Sequence, residues 1–344
     1  MPRTIRRTNV TKDGVMVARK DSHYPNLFKR YPANPILEAA MWPYPTNSVF
    51  NAGVADLGDE TLLLVRVEGR TGFSHFTVAR SRNGIDHWVI DPRPTFSPDP
   101  ERHPEEVWGV EDPRIVFLEE KEVWAITYTA YSSGGPLVAL ATTKDFRTFE
   151  RLGPVMPPED KDAALFPRRF KGRWLMIHRP VPVSQLGAHI WLSYSPDLKH
   201  WGDHGILIEA RRGGWWDANK IGLGPPPLET SEGWLILYHG VRQTAAGCLY
   251  RLGLALLDLK DPSRVLRRSN EWVFGPEAPY ERAGDVHDVV FPCGWILEKG
   301  TGRIRLYYGA ADTSIALAIG ELDEILDYVM SCPVPEPLPL HCFL

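Results

Sequence analysis

Apolar residues along the chain gather in short runs, broken every few positions by glycine, proline or charge. The three-to-four spacing that marks a helix is scarce, and only "LDEILDYV" (322–329) shows it. Runs such as "TLLLVRV", "VWAITYTAY", "RWLMIH", "GWLILYHGV" and "RIRLYYG" have strand length and are rich in β-branched and aromatic residues.

These runs recur within a larger unit. Five segments share one plan: a polar or Gly/Pro-rich lead, a short apolar strand, a turn, and a second apolar strand ending in polar or aromatic residues. They are "NAGVADLGDETLLLVRVEG" from Asn51, "EDPRIVFLEEKEVWAITYTAY" from Glu111, "KDAALFPRRFKGRWLMIHRP" from Lys161, "GPPPLETSEGWLILYHGV" from Gly224 and "VVFPCGWILEKGTGRIRLYYGAAD" from Val289. Their starts lie roughly 50 to 65 residues apart, within the range of propeller blades. Between them, "SRNGIDHW", "TKDFRTF" and "SPDLKHW" form a second echo, each marking an outer hairpin. Trp88, Phe149 and Trp201 are then expected to pack between neighbouring blades. The prediction is an all-β chain folded as a five-bladed β-propeller over residues 31–320. A basic extension (1–30) precedes it, and a short helix with a Pro-rich tail (321–344) follows. A two-sheet sandwich is the alternative, but it leaves unexplained why five strand ends carry such similar chemistry.

Composition narrows the function. Of 344 residues, 43% are hydrophobic and 24% charged, enough for a large core and close to the soluble average. The 31 prolines and 29 glycines suit many short strands with tight turns. A net charge of −4 argues against a nucleic-acid surface or a polybasic membrane anchor. Cys248, Cys293, Cys332 and Cys342 have no metal-ligand or disulfide-framework spacing. The arginines of "MPRTIRRTNVTKDG" have no apolar segment behind them, and no apolar run approaches the roughly 20 residues of a spanning helix. A cytoplasmic protein is expected. The first 30 residues hold eight Lys or Arg against Asp13 and Asp21, the composition of a solvated tail or of an arm that packs on a second subunit. A homo-oligomer is expected.

In a propeller, strand ends from different blades converge on the axis. The expected ends are Arg66, Tyr128, His178 with Arg179, Tyr238 with His239, and Tyr307 with Tyr308. The strand starts add Asn51, Asp112, Lys161 with Asp162, and His287 with Asp288. The most concentrated chemistry is in "EDPR": Pro113 fixes its own φ and should hold Asp112 extended, with Arg114 on the same face to lower its pKa. A turn with a surface ion pair is the plain alternative. One buried acid suits protonation of a glycosidic oxygen. A hydrolase would ordinarily need a second carboxylate for water, whereas phosphate arrives as a competent nucleophile and needs cations to hold it. The surrounding Arg, Lys and His favour phosphate.

"EDPRI", "KDAALFPRRFKGRW", "IHRP", "SPDLKHWG", "WWDANKIGLGPPPLET", "GWLILYHGV", "YRLGLALLDL", "YERAGDVHDVVFPCG" and "YYGAAD" occur in an order and spacing that resembles glycoside hydrolase family 130, from about Asn34 to Ala318. The resemblance implies a five-bladed propeller that performs inverting phosphorolysis of a β-mannoside, giving α-mannose 1-phosphate and a shortened acceptor. It implies no cofactor beyond inorganic phosphate as co-substrate, and no metal. It assigns the acid to Asp112, working partly through a sugar hydroxyl, with Glu111 tuning or orienting it on the substrate side. Phosphate falls to Arg66, Lys161, Arg179 and His239, with Tyr250 beside them. The mannosyl group falls to Asn51 and Asp312, with Asp162. Tyr128 and Tyr131, and Trp215 and Trp216 of "GGWWDANKIG", are candidates for an aromatic acceptor platform against core packing. Arg168 stands between a site and a blade-surface role, and His178 is expected to be a satisfied strand histidine.

"GDVHDVVF" departs from the pattern, with His287 and Asp288 where many relatives carry asparagine. The acceptor is open among glucose, N-acetylglucosamine, mannose and mannooligosaccharides. A 1,4 linkage is preferred over 1,2 because "EEVWGVEDPRI…WAITYTAYS" resembles the 1,4-acting members. The rivals are a β-mannosidase on the same fold, a fructosidase- or arabinanase-like glycosidase needing three channel acids, and a carbohydrate-binding propeller without catalysis.

Overall fold

The computed structural model describes residues 25–181, 187–245 and 247–336. Five antiparallel sheets follow one another along the chain. The first contains Ser48–Asp56, Thr61–Glu68, Ser74–Ser81 and Val89–Ile90. The second contains Val110–Leu118, Val123–Ser132, Gly135–Thr143 and Glu150–Met156, and the third Asp160–Leu165, Trp174–Pro180, Ile190–Ser195 and Gly202–Ile208. The fourth contains Lys220–Leu223, Trp234–Thr244, Gly247–Leu257 and Val265–Arg268. The fifth contains Val290–Leu297, Arg303–Ala310 and Ser314–Glu321, and it is completed from the far end of the chain by Lys29–Arg30 and Leu37–Glu38. These are the five blades of a β-propeller.

The apolar runs are continuous because their strands are buried on both faces. Leu62 and Leu64 enter a core shared with Ile126 and Ala139 of blade two, while Leu63 and Val65 enter one shared with Tyr307 and Leu317 of blade five. The same alternation sends Leu235 and Leu237 toward Leu306, and Trp234 and Ile236 toward Leu175 and Ile177. Trp88 meets Tyr307 edge-on at 6.3 Å, Phe149 meets Phe96 at 5.1 Å, and Trp201 packs on the core between blades two and three, so the three aromatics do bridge blades.

The second echo is a shared turn. Ser81, Thr143 and Ser195 accept the amides of Gly84, Phe146 and Leu198, and Asn83, Asp145 and Asp197 cap the following turn residues through their side-chain oxygens. The amides of Thr148 and Arg147 hold Asp145 down at about 2.

The ring closes across the boundary at residue 30 that the sequence suggests. Lys29 and Arg30 pair with Ile319 and Ala318, and Phe28 is fully buried between blades four and five. Arg30 donates to buried Glu281 through Nε at 2.8 Å and lies 4.4 Å over the Phe274 ring. Glu281 also accepts the Tyr308 hydroxyl and the amides of Glu277 and Ala278. Residues 28–30 are thus propeller rather than extension: Lys29–Arg30 covers the Ala318–Ile319 part of the outer edge of blade five, while Leu37–Glu38 covers only Ser314 and Ile315. The helix Leu322–Ser331 packs Ile325, Leu326 and Val329 into the same core. No helix among the described residues is long and apolar enough to cross a membrane. The proposed subunit arm before residue 25 and Cys342 lie outside the described residues.

Phe28→Ala is expected to lower unfolding free energy by about 3–5 kcal/mol, read from the urea midpoint at unchanged m-value.

Candidate active site

Three blades present their key polar residue through one backbone device. Asn51, Asp112 and Asp162 have φ of +48°, +52° and +54°, and each stands in a bulge of the innermost strand. Phe50 pairs with Arg66 and Gly53 with Leu64, so Asn51 and Ala52 share the place opposite Val65. The register skips identically between Glu111 and Arg114, and between Lys161 and Ala164. Asn and Asp tolerate the left-handed region better than other non-glycine residues, at a cost of about 1–2 kcal/mol. Asp112 is therefore not extended, as Pro113 alone would suggest: the bulge overrides the pre-proline preference and turns the carboxylate inward.

At the axis these groups interlock. Asn51 Nδ2 and Arg66 Nη1 both donate to Asp112 Oδ1 at 2.9 Å, and no hydrogen bond within the chain reaches Oδ2 among the described residues. Arg66 Nη2 and Lys161 Nζ hold opposite oxygens of Glu111 at 3.0 and 3.1 Å. Arg179 grips Asp162 Oδ2 through Nε and Nη2 at 2.9 and 2.8 Å, and His239 Nε2 lies 3.4 Å from the same oxygen. Arg114, 1% exposed, donates to the Gly224 and Leu223 carbonyls at 2.6 and 2.9 Å and lies 3.4 Å from Asp162. A Cβ on Gly222 would run into Asp162 Oδ2 and the His239 ring, so this convergence requires glycine there.

The charges set the protonation states. Burial opposes ionisation of Asp112, yet Arg66, Lys161 and Arg114 together hold its pKa below the usual carboxylate value. Burial likewise opposes Asp162, and the permanent cations Arg179 and Arg114 outweigh it, holding its pKa below the usual carboxylate value. Burial lowers His239 to about 3, leaving the imidazole neutral, and raises Tyr250 to about 12. Asp312 behaves oppositely: burial lifts it to about 6, Arg66 opposes the rise, and Asp112 and Glu111 add to it. Two buried polar atoms at the axis, Asn51 Oδ1 and His239 Nδ1, have no hydrogen-bond partner among the described residues.

Asn51, Arg66, Glu111, Asp112, Lys161, Asp162, Arg179 and His239 are thus brought together. Tyr250 lies beside them, its ring 6.1 Å from that of His239, and Asp312 is within their electrostatic reach. Tyr131 flanks Lys161, whose Nζ lies 5.7 Å from the ring, and meets Trp108 edge-on.

Tyr128 is a correction. It faces the core between blades one and two, among Phe76 and Phe96, and its hydroxyl donates to buried Glu106 at 2.7 Å. Strand alternation sends Ile126, Tyr128 and Ala130 to one side together. Tyr238, Tyr307 and Tyr308 are buried in inter-blade cores for the same reason. Arg168 makes an exposed pair with Glu229, and Trp216 stacks on Tyr238 while its indole donates to the Asn270 carbonyl. Exposed Trp215 lies against Arg211. His178 has both ring nitrogens satisfied by Asp160 and Ser193. His287 bonds the Arg282 carbonyl, and Asp288 takes a left-handed φ of +58°.

Sequence reading missed Lys220, which heads the innermost strand of blade four with its Nζ 5.8 Å from the Tyr250 ring. Burial, then Arg179, lowers its pKa. "KIGLG" echoes "KDAAL", the signal that would have found it. Among the described residues no group of three or more His, Cys, Asp or Glu is arranged to hold a metal ion.

Asp312 gives a pH test. Its folded pKa near 6 exceeds the unfolded value of 3.8, so the native state binds more protons between them and loses stability as pH rises through that window. The Tm of Asp312→Asn relative to wild type should therefore rise by a few degrees from pH 4.5 to pH 7, about the scale set by one to two kcal/mol. A constant difference across that range, in calorimetric scans, would remove the assignment.

The geometry has close relatives. Residues 28–331 match the family profile described as beta-1,4-mannooligosaccharide phosphorylase of glycoside hydrolase family 130. A beta-1,4-mannooligosaccharide phosphorylase of Ruminococcus albus is 37% identical over 309 residues, covering 88% of this chain and 90% of that protein. A beta-1,2-mannobiose phosphorylase of Listeria innocua is 40% identical over 256 residues, covering 74% and 69%. The solved structure of a Listeria innocua beta-1,2-mannobiose phosphorylase with beta-1,2-mannobiose superposes with a TM-score of 0.80 at 32% identity, covering 88% of this chain and 99% of that one. The chain belongs to glycoside hydrolase family 130, a family of β-mannoside phosphorylases.

Proposed function

We propose that this enzyme performs inverting phosphorolysis of a β-1,4-linked mannoside, releasing α-mannose 1-phosphate and the shortened acceptor sugar. The observation that carries the reading is one acid with a free oxygen, Asp112 Oδ2, beside a cluster of cations: Arg66, Lys161, Arg179 and Lys220. A phosphate oxygen attacks C1 from the face opposite the leaving oxygen, so the C1–O bond breaks with inversion from β to α. The acceptor oxygen takes its proton from Asp112, directly or through a sugar hydroxyl. Lys161, Arg179 and His239, with Arg66 and Tyr250, hold the phosphate. Asn51, Asp162, Asp312 and Glu111 read the mannosyl hydroxyls, and Asn51 Oδ1 is a buried acceptor with no partner among the described residues.

The electrostatics couple the two substrates. Asp112 is held ionised by cations, but an acid must arrive protonated. A phosphate dianion among those cations cancels part of their field and raises the Asp112 pKa, so phosphate binding prepares the acid. Glu111 and Asp162 are tied to Arg66, Lys161 and Arg179, and neither is free to activate water. Asp312, with its pKa near 6, is the one observation favouring a β-mannosidase, since a raised carboxylate can serve as a base. The 1,4 linkage is supported by the Ruminococcus albus relative and opposed by the Listeria innocua one.

Product analysis on β-1,4-mannobiose, mannosyl-glucose and β-1,2-mannobiose, with and without phosphate, separates these readings. Phosphate-dependent mannose 1-phosphate from the 1,4 substrates is expected. Free mannose at equal rates in both conditions would make the enzyme a hydrolase. Asp112→Asn should lower turnover about 100- to 10,000-fold in a protein that remains folded.

A further inference from the structure

Blade three contains a polar chain that the proposed chemistry leaves unused. It takes one residue from each of the four strands, running from the axis to the outer edge. Asp160 Oδ2 lies 2.6 Å from His178 Nδ1, His178 Nε2 lies 2.7 Å from Ser193 Oγ, and Ser193 Oγ lies 2.7 Å from His204 Nδ1. Asp160, His178 and Ser193 are buried, while His204 is exposed. One set of roles satisfies every atom: His178 Nδ1–H donates to Asp160, the Ser193 hydroxyl donates to His178 Nε2, and His204 Nδ1–H donates to Ser193.

The inner end of this chain is fastened to the active site. Asp160 Oδ1 accepts the backbone N–H of Arg179 at 3.1 Å. Asp160 begins the innermost strand and Pro180 ends the second, so this bond lies at the terminus of both. Lys161 and Arg179 are directly paired across that terminus, and the bulge carrying Asp162 follows at once. Pro180 has no N–H to give, which makes the Arg179 amide the last main-chain donor of its strand. A strand end frays unless tied: Val181 N–H closes the ladder beyond Pro180 by donating to the Glu159 carbonyl at 2.9 Å, and the Arg179 amide itself is tied by a buried carboxylate held in place by an imidazole.

We propose that Asp160 and His178 are positioning residues for the anion-binding pair Lys161 and Arg179. They act through the Arg179 amide, and Ser193 and His204 anchor them to the blade edge. This rests on the reading of Lys161 and Arg179 as phosphate ligands. Loss of the anchor lets the two cations drift by a fraction of an ångström, which lowers phosphate affinity first: the mannosyl contacts of Asn51 and Asp312, on other blades, stay in place, and Asp162 keeps Arg114 beside its Oδ1.

The test is steady-state phosphorolysis by His178→Ala and His178→Asn. His178→Ala is expected to raise the phosphate KM about tenfold with the mannoside KM within about twofold. His178→Asn, whose amide N–H replaces imidazole Nδ1–H toward Asp160, should recover most of the loss. A phosphate KM that stays at the wild-type value, or both KM values rising together, overturns the proposal. If His178→Ala does not fold, Ser193→Ala cuts the chain one link further out and is judged by the same split. Wild-type turnover that ignores phosphate would refute the phosphate reading separately. Hydrogen exchange at the Arg179 amide then decides: faster exchange in His178→Ala supports the tie, and unchanged exchange refutes it.

Discussion

Arg114 is the group on which the site depends. A guanidinium with 1% exposure at the centre of a propeller is costly unless every donor finds a partner, and the partners come from different blades. Its head meets two carbonyls of blade four and the Asp162 carboxylate of blade three, while its backbone belongs to blade two. The positions of three innermost strands are thereby fixed relative to one another by one side chain. Asp162 in turn orders Arg179 and His239, and Asp112 orders Arg66 and Asn51. Removing the guanidinium would strip one oxygen of a buried carboxylate and two carbonyls of this donor, and breaking a buried pair typically costs about 3–5 kcal/mol.

The resulting network is a balance of charge rather than a pool of free cations. Glu111 bridges Arg66 and Lys161, so an incoming anion must compete with it for the same donors. That competition keeps the cations pointed inward when no substrate is bound. An added negative charge there is also felt by both Asp112 and Asp312, which share the field of Arg66.

The fold was legible because burial on both faces of the inner strands leaves an unbroken apolar signature that repeats five times. Most of the site was legible too, since Asn51, Asp112 and Asp162 occupy the same place in three rhyming segments. What sequence hid were properties of pairing. The left-handed turn at Asp112 follows from the register against Thr127 and Thr129, which no local rule on Pro113 contains. Tyr128 stands near the end of its strand and so reads as a channel residue, yet alternation counted along that strand sends it into a core. Arg30 and Glu281 are 251 positions apart, and nothing near either announces the other. Lys220 went unseen because its strand has only four residues.

The way the ring closes has a consequence for the order in which the molecule can assemble. The strand Lys29–Arg30 is among the first parts of the propeller to be synthesised, but its partner Ser314–Glu321 is among the last. Blades one to four have all their strands within a contiguous stretch, whereas blade five waits with an open edge until the two ends meet. An open edge strand pairs with whatever complementary strand is nearest. At high concentration that strand can belong to a neighbouring chain, the arrangement by which two molecules exchange a first strand.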